Sequence, residues 1–275
     1  MSTTVVGRAR AAGATDAYCA RMLLDARKHP LLERAYARYG RRLLRRAFTR
    51  VWVGGAPWPE GGGPVIAYVN HSAWWDPVLA LFLSHDVFRR DGYGLMEGAQ
   101  LVRYPFFRRI GCFGATMEHP AEDARGLALY AARLLRGAGP EGMPRTLWIF
   151  PQGVLLPARV PLVFRSGLAR FSRAVPDALL LPVAVRYEVR ATQRPECFVR
   201  VGAPVHPGGD APARLTRRLE QRLREELDRL DADLTAEHPA GYRVALAGRG
   251  SLSDFYDHTM GRLRKGRAWG SGTQE

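Results

Sequence analysis

Pro64-Val-Ile-Ala-Tyr-Val-Asn-His-Ser-Ala-Trp-Trp-Asp76 joins an apolar run to a polar turn, and the fold can be read outward from this stretch. The apolar part, residues 64–69, is short and rich in β-branched and aromatic residues, which predicts a buried strand. Asn70-His71-Ser72 is typical of the N-terminal cap of a helix. A buried strand that runs directly into a helix predicts a parallel α/β sheet.

Further apolar runs repeat this pattern along the chain. We predict strands over 92–96, 146–150 and 179–185, and an edge strand over 197–201. Helices are predicted over 121–136 and over 215–234, where leucines recur at helical spacing as a stripe that packs on the core. Strands that alternate with helices indicate an α/β domain with a largely parallel central sheet flanked by helices. We assign this domain to residues 56–248.

The segment before this domain is basic and amphipathic. Residues 16–50 predict helix with a break near His29-Pro30, and arginines alternate with Leu and Tyr along it. Two interpretations stay open: the solvated face of a packed helix pair, or a surface that binds an anionic membrane. The chain therefore divides into an N-terminal amphipathic helical segment (1–55), the α/β domain (56–248) and a basic flexible tail (249–275).

The composition limits the classes of partner. The chain has 275 residues and a formal net charge of +15, and all but two of its 41 Lys and Arg residues are arginines. Such a charge attracts polyanions, namely nucleic acid, anionic lipid headgroups or phosphorylated substrates. No run approaches the roughly 20 apolar residues that span a bilayer, so we expect any membrane contact to be peripheral.

The cysteines indicate a reducing compartment. Cys19, Cys112 and Cys197 are far apart and form neither a disulfide framework nor a CxxC metal site. This usage agrees with the cytoplasm. Residues 1–15 lack the apolar core of a secretory signal. We therefore predict a cytoplasmic protein without a bound metal.

The residues that carry chemistry follow the first strand. His71 and Asp76 are five residues apart, just beyond the carboxyl end of a strand, which is where open α/β sheets bind ligands. An imidazole there can deprotonate a hydroxyl, and a carboxylate on its far nitrogen fixes the tautomer and stabilises the imidazolium. By itself this spacing also fits a capping histidine and a surface aspartate.

Three later blocks favour the catalytic interpretation. Phe150-Pro-Gln-Gly153 ends another strand, and Phe164-Arg-Ser-Gly167 and Leu181-Pro-Val-Ala-Val185 follow it. With residues 70–76, these blocks resemble, in order and spacing, the glycerolipid acyltransferase family. Its lysophosphatidate (1-acylglycerol-3-phosphate) acyltransferases carry NHxxxxD, FPEG, F-K-x-G and VPV blocks. The resemblance covers residues 64–190, about half of the chain.

The resemblance implies a mechanism. His71 would be the general base for the hydroxyl of a lipid acceptor, and Asp76 would orient it. The hydroxyl would attack the thioester of acyl-CoA or of an acyl-carrier protein without a covalent acyl-enzyme. Both donors are co-substrates, so no cofactor is implied. Backbone N–H groups near His71 and in the loop at Gly153 would hold the oxyanion.

The resemblance also implies where the acceptor binds and where the protein works. The expected acceptor residues are Phe150, Pro151, Gln152, Gly153, Arg159, Arg165 and Gly111, the last from a G-x-x-F-I-x-R block. An enzyme that collects an insoluble acceptor favours the membrane interpretation of residues 16–50. The expected location is therefore the cytoplasmic, inner face of an anionic membrane.

The chain departs from the family at the acceptor blocks. Gln152 replaces the Glu of FPEG, Leu155 stands in place of the following Arg, and no arginine occurs near Met117. An apolar rim with an amide suits an uncharged head, such as that of a glycosylated isoprenoid or carotenoid. The alternative is that Arg159 or Arg165 supplies the missing charge to a phosphate.

Other assignments stay open. An inactive lipid-binding relative fits the altered acceptor block. A nucleic-acid-binding protein fits the charge, but it leaves the ordered blocks unexplained and shows no known binding module, so nucleic acid is not expected as a partner. Trp74 and Trp75 are either an acyl-channel lining or one packed and one exposed residue. For Cys112 we expect a buried, inert thiol rather than a nucleophile.

Overall fold

A single mixed sheet dominates the computed structural model, which describes residues 23–116, 120–190, 193–236 and 239–248, without the side chains of residues 120 and 121. Its order within that part of the chain is β1-β5-β4-β6-β3-β7-β8-β2-β9. Five neighbouring pairs in it are parallel and three are antiparallel, so the predicted largely parallel sheet is confirmed. The strands are β1 (Leu23–Leu24), β2 (Arg50–Gly55), β3 (Val65–Val69), β4 (Asp91–Leu95), β5 (Cys112–Ala115), β6 (Arg145–Ile149), β7 (Leu179–Glu188), β8 (Glu196–Val201) and β9 (Tyr242–Ala247).

Helices connect most of these strands. A π-helical turn, Leu83–Phe88, continues the second helix, and a short 3-10 turn, Pro140–Gly142, precedes β6. The helices are α1 (Pro30–Ala47), α2 (Asp76–Phe82), α3 (Gly98–Arg103), α4 (Phe106–Arg109), α5 (Pro120–Arg136), α6 (Gly167–Ala174) and α7 (Pro212–Asp233). None of them, in the part of the chain described, is long and apolar enough to cross a bilayer.

The sheet is buried on both faces, which explains its uninterrupted apolar strands. In β3, Ile66 and Tyr68 belong to the core under α5, α6 and α7. Ala67 and Val69 point the other way, into the core under α1 and α2. The predicted leucine stripe of α7 packs on the first core: Leu215, Leu219, Leu223, Leu227 and Leu230 are all buried.

Two sequence predictions near the N-terminus are wrong. Leu23–Leu24 is not helical but pairs antiparallel with β5, and the helix begins only at Pro30. Arg50–Gly55, predicted to belong to the N-terminal helical segment, is a strand between β8 and β9. Both strands depend on partners far along the chain, which local periodicity does not reveal. Residues 16–22 and the tail over 249–275 lie outside the described residues.

The predicted edge strand over 197–201 is also placed wrongly. The strand exists as β8, but it lies inside the sheet, antiparallel to β7 and parallel to β2. Four of its six residues are at most 1% exposed. The strand is central because β2 pairs with its other side and β9 pairs with β2. The strands predicted over 92–96, 146–150 and 179–185 are confirmed, and β7 runs three residues further, to Glu188.

Candidate active site

Asn70 fixes the place where the chain leaves the sheet. The last residue pair of β3 with β7 is Val69 with Val183. One step further, the Asn70 Nδ2 donates to the carbonyl oxygen of Val185 (3.0 Å), and the N–H of Val185 donates to Asn70 Oδ1 (2.8 Å). The side chain thus continues the ladder while the backbone turns away. The prediction that Asn70-His71-Ser72 caps a helix is wrong, because α2 begins only at Asp76.

His71 and Asp76 form a hydrogen-bonded dyad. The Nδ1 atom of His71 lies 2.7 Å from Asp76 Oδ2, and the two side chains are 19% and 1% exposed. Because a carboxylate can only accept here, Nδ1 carries the proton and Nε2 keeps a free lone pair. The His71 ring stacks on Phe150, with centroids 4.5 Å apart. This arrangement can accept a proton at Nε2.

The Asp76 carboxylate accepts four hydrogen bonds. Besides the imidazole, its Oδ2 accepts the N–H groups of Ser72 (2.8 Å) and Ala73 (2.9 Å). Its Oδ1 accepts the hydroxyl of Tyr187, at 2.6 Å. Tyr187 was not among the predicted site residues, because it lies outside the quoted blocks. One signal was present, because Val183, Val185 and Tyr187 alternate along β7 and so share the face of the dyad.

The side-chain oxygen of Gln152 binds the backbone of His71 and is not available to a lipid acceptor. The backbone N–H of His71 donates to Gln152 Oε1 at 2.7 Å, and Gln152 is only 6% exposed. Pro151 is buried beside it, while Gly153 adopts φ +71° and its N–H donates to the carbonyl of Phe150 (3.0 Å). The FPQG block is therefore a tight turn that holds the backbone of His71 in place.

The two candidate arginines flank this turn. The backbone N–H of Arg165 donates to Pro151 (2.9 Å), and its side chain lies against Gly153, where an added Cβ would be 2.9 Å from Arg165 Cδ. Arg159 is exposed in the turn at 157–160. Both side chains are exposed, and among the described residues neither has a hydrogen-bonding or ion-pair partner. The segment just before Arg159 passes next to the dyad, since the N–H of Leu156 donates to the carbonyl of His71 (3.0 Å).

Gly111 does not join these residues. The strand register aligns Cys112 with Ala67, so Gly111 lies five residues below His71 and three strands away. Strand geometry converts this offset to roughly 20 Å. Gly111 adopts φ +104°, and a Cβ there would be 2.5 Å from the side chain of Lys28. It packs the N-terminal segment; Met117, from the same predicted block, lies outside the described residues.

The expected oxyanion donors are engaged elsewhere. The N–H groups of Ser72 and Ala73 donate to Asp76, and that of Gly153 donates to Phe150. These groups hold the FPQG turn and the loop over 70–75, which we call the proposed catalytic loop, in shape. These three N–H groups are therefore not available to an oxyanion, and the role of the other N–H groups of the two loops stays a prediction.

The remaining candidates behave as packing residues. Trp74 is 63% exposed, whereas Trp75 is half-buried and packs edge-on against Phe48 at 5.3 Å, as one of our two interpretations expected. Burial raises the pKa of the Cys112 thiol to about 12, which keeps it protonated and inert. The part of the chain that the structure describes contains no cluster of three His, Cys, Asp or Glu side chains that could hold a metal.

A cavity of about 650 Å³ lies at the ends of the strands opposite to the dyad. It is lined by the end of β2 and by Trp58, Phe88 and Arg90. Because β2 runs opposite to β3, this cavity is far from the dyad. None of the predicted site residues lines it.

Comparisons with known proteins concern the family and the fold of the chain. Residues 42–186 match the model of a family described as acyltransferase, a stretch that contains the dyad and the FPQG turn. The crystal structure of the 1-acyl-sn-glycerophosphate (LPA) acyltransferase PlsC from Thermotoga maritima is similar, with a TM-score of 0.53. The two chains are 18% identical, and the alignment covers 73% of this chain and 80% of that one. This likeness concerns the fold. A search of curated proteins found no match.

Proposed function

The chain belongs to the acyltransferase family, and from this premise we propose that it transfers a fatty acyl group from a thioester donor to a hydroxyl of a lipid acceptor. One observation carries the proposal. His71 presents a free Nε2 while Asp76, 2.7 Å from Nδ1, holds the imidazole in that tautomer. A buried carboxylate behind a partly exposed imidazole is the arrangement that a general base requires.

The reaction follows from this geometry. Nε2 of His71 takes the proton of the acceptor hydroxyl as its oxygen attacks the thioester carbonyl. The imidazolium is stabilised by the carboxylate of Asp76. The tetrahedral intermediate then collapses: the C–O bond remains, the C–S bond breaks, and the thiolate takes the proton from His71. The donor is acyl-CoA or an acyl-carrier protein, and no covalent acyl-enzyme forms.

The test is acyl transfer from a labelled thioester by purified variants. We expect His71→Ala to lower kcat by about 10²–10⁴-fold, the usual contribution of a general base. Asp76→Asn should lose most of the activity because it mis-sets the tautomer. His85→Ala is the matched control, since His85 also has an aspartate neighbour, Asp86 at 3.7 Å, but is exposed on the π-helical turn.

Near-normal turnover of folded His71→Ala would contradict the proposal. Far-UV circular dichroism establishes that each variant is folded. No transfer by the unaltered protein from either donor class, with lipid binding retained, would instead favour the inactive lipid-binding protein. Binding of nucleic acid in a mobility-shift assay would revive the third candidate.

The contacts favour a phosphate-bearing acceptor, such as lysophosphatidate, over an uncharged head. The case for a neutral acceptor relied on an apolar rim and on the Gln152 amide, and the oxygen of that amide is used by the His71 backbone. Arg165 lies against Gly153, and Arg159 is exposed nearby, both without a partner among the described residues. A guanidinium in that position can bind a phosphate with two parallel hydrogen bonds.

The acceptor class is tested by offering lysophosphatidate and a glycosylated isoprenoid, such as a carotenoid glycoside, with one acyl donor. We expect lysophosphatidate to be acylated, and Arg165→Ala to lower kcat/KM about 10–100-fold, as for lost hydrogen bonds to a charged group. Arg89→Ala, an exposed arginine at the ends of the strands opposite to the dyad, is the control. Acylation of the neutral lipid alone, unchanged by Arg165→Ala, would reverse this choice.

We also propose that the protein binds the surface of an anionic membrane through α1. Leu31, Leu32 and Tyr39 on its outer side are 69%, 42% and 53% exposed. Phe106, 40% exposed, extends this apolar surface through its edge contact with Tyr36 (5.0 Å). Exposed arginines surround it on α1: Arg34, Arg38, Arg42, Arg45 and Arg46. Apolar groups beside cations suit an anionic interface, where each basic residue contributes about 1 kcal/mol.

Co-sedimentation with vesicles tests this surface. Binding to vesicles with anionic lipid should exceed binding to neutral ones and weaken with salt, because exposed charges are screened over about 8–10 Å. Tyr39→Ser should weaken binding, whereas Val244→Ser, a change at an exposed residue of β9, should not. Equal binding to neutral and anionic vesicles would remove the electrostatic half of the argument.

A further inference from the structure

The fourth hydrogen bond of Asp76 comes from outside the proposed catalytic loop. Tyr187 lies 111 residues further along the chain, near the end of β7, and its hydroxyl donates to Asp76 Oδ1 at 2.6 Å. The other three donors all reach Oδ2 and all come from residues 71–73. Among the described residues, Tyr187 is therefore the one side chain that holds the second oxygen of the carboxylate.

Three elements hold this phenol in place. β7 extends past the end of β3, so Tyr187 reaches over the loop that follows β3. Across the antiparallel pairing it faces Cys197 of β8. On its ring face it stacks with Phe48, at 5.4 Å and 28°. The hydroxyl is thus positioned by the sheet and does not depend on the loop that it contacts.

We propose that Tyr187 is a positioning residue that fixes the rotation of the Asp76 carboxylate and reduces its negative charge, and so sets the pH at which His71 becomes a free base. The inference rests on the proposed function of the dyad. A phenolic O–H that donates to a carboxylate stabilises its charge and lowers its basicity. Without this bond, Oδ1 carries more negative charge and stabilises the imidazolium of His71 more strongly.

The neighbouring titratable groups do not obscure a change in the pH dependence of His71. Among the described residues, the titratable side chains that contact Asp76 or interact with its charge are His71, Tyr187 and Cys197. Burial first, and then Cys197 and Asp76, raise the pKa of Tyr187 well above its usual range. Burial and the charge of Asp76 do the same to the pKa of Cys197. Both groups stay protonated at neutral pH, so a change in the acid limb of the rate profile reports His71.

The test is Tyr187→Phe, which keeps the ring stacked on Phe48 and removes only the hydroxyl. We expect kcat to fall about tenfold, which is comparable to the effect of groups that orient metal-bound histidines. KM should change less than about twofold, because the interaction binds no substrate. The acid limb of kcat/KM should move to higher pH, because the imidazolium is stabilised. Tyr242→Phe is the matched control, since Tyr242 donates to Asp233 at 2.9 Å on the far side of the sheet.

A double-mutant comparison completes the experiment. In the Asp76→Asn background, Tyr187→Phe should cause little further loss, because the two groups act as one unit. An unshifted acid limb together with additive losses would overturn the inference. So would wild-type rates for Tyr187→Phe. If His71→Ala is inactive in the same assays, such results overturn only the role of Tyr187; if His71→Ala is active, the proposed function itself fails.

Discussion

Asn70→Asp replaces the side-chain NH2 group of Asn70 with an oxygen. This NH2 group forms one of the two hydrogen bonds that join the residue after β3 to Val185 of β7. The new side chain is isosteric and still accepts the N–H of Val185, but the donor to the Val185 carbonyl becomes an oxygen about 3.0 Å from it. Asn70 is 4% exposed and Val185 1%, so water cannot replace the lost bond. An unsatisfied buried acceptor costs about 1–3 kcal/mol, and the buried charge adds to this.

The expected loss in the free energy of unfolding is therefore about 2–4 kcal/mol near pH 7.5. Burial raises the pKa of the introduced carboxyl in the folded state above its unfolded value of about 3.9. The folded state then binds more protons, so the penalty grows as pH rises between the two pKa values. We expect the difference from wild type to widen by about 1–2 kcal/mol between pH 5.5 and pH 7.5, below the limit of about 1.4 kcal/mol per pH unit.

Urea unfolding at the two pH values measures this difference. Gln100→Glu is the control: it makes the same amide-to-carboxylate change at an exposed position of α3 and should show little pH-dependent loss. If Asn70→Asp unfolds at the wild-type urea concentration at both pH values, the side chain does not continue the ladder, and our account of how His71 is placed is wrong.

Two further predictions concern backbone strain and thiol reactivity. Gly153→Ala (φ +71°) and Gly142→Ala (φ +75°) should each cost about 1–2 kcal/mol of stability. Only Gly153→Ala should also lower activity, because it displaces the turn under Gln152; equal activities would contradict that role. Burial raises the pKa of Cys112 to about 12 and that of Cys197 well above its usual range, so iodoacetamide at pH 8 should modify Cys112 at a rate on the order of 10³-fold below that of a free thiol. Peptide mapping by mass spectrometry, with urea-unfolded protein as the control, would show rapid native labelling if this is wrong.

The elements that could be predicted from local sequence are those whose apolar residues form one continuous run or a regular stripe. β3 and β6 are short, apolar and followed by turn residues, β7 begins with an apolar run over 179–185, and α7 repeats its leucines at helical spacing. The strands that local sequence missed or misplaced depend on distant partners. The two-residue strand Leu23–Leu24 exists because β5 pairs with it, and β8 is central because β2 lies beside it.

In the candidate site too, contacts between residues close in sequence could be predicted and contacts between distant residues could not. The spacing of His71 and Asp76 is short enough for a single turn, so sequence could predict their approach. The role of Gln152 is set by its distance from the His71 backbone, 81 residues earlier, and no pattern encodes that contact. The likeness of Gly111 to a family block carried no information on its distance from His71, because that distance depends on the register of β5, which begins one residue later.

The segment over 154–163 passes next to the dyad without helping to build it. It is irregular and mostly exposed. Among the described residues, two hydrogen bonds join it to the scaffold: the N–H of Leu156 donates to His71, and Arg224 donates to the carbonyl of Leu162, whose side chain is buried in the core. The described hydrogen bonds of Asp76 and Gln152 come from other parts of the chain. If this segment contacts the acceptor, as we propose for Arg159, its exposed positions can change during evolution without altering the hydrogen bonds of the dyad. A directed-evolution library confined to residues 154–161 and 163, which leaves the core residue Leu162 unchanged, would search acceptor preference with little risk to the dyad.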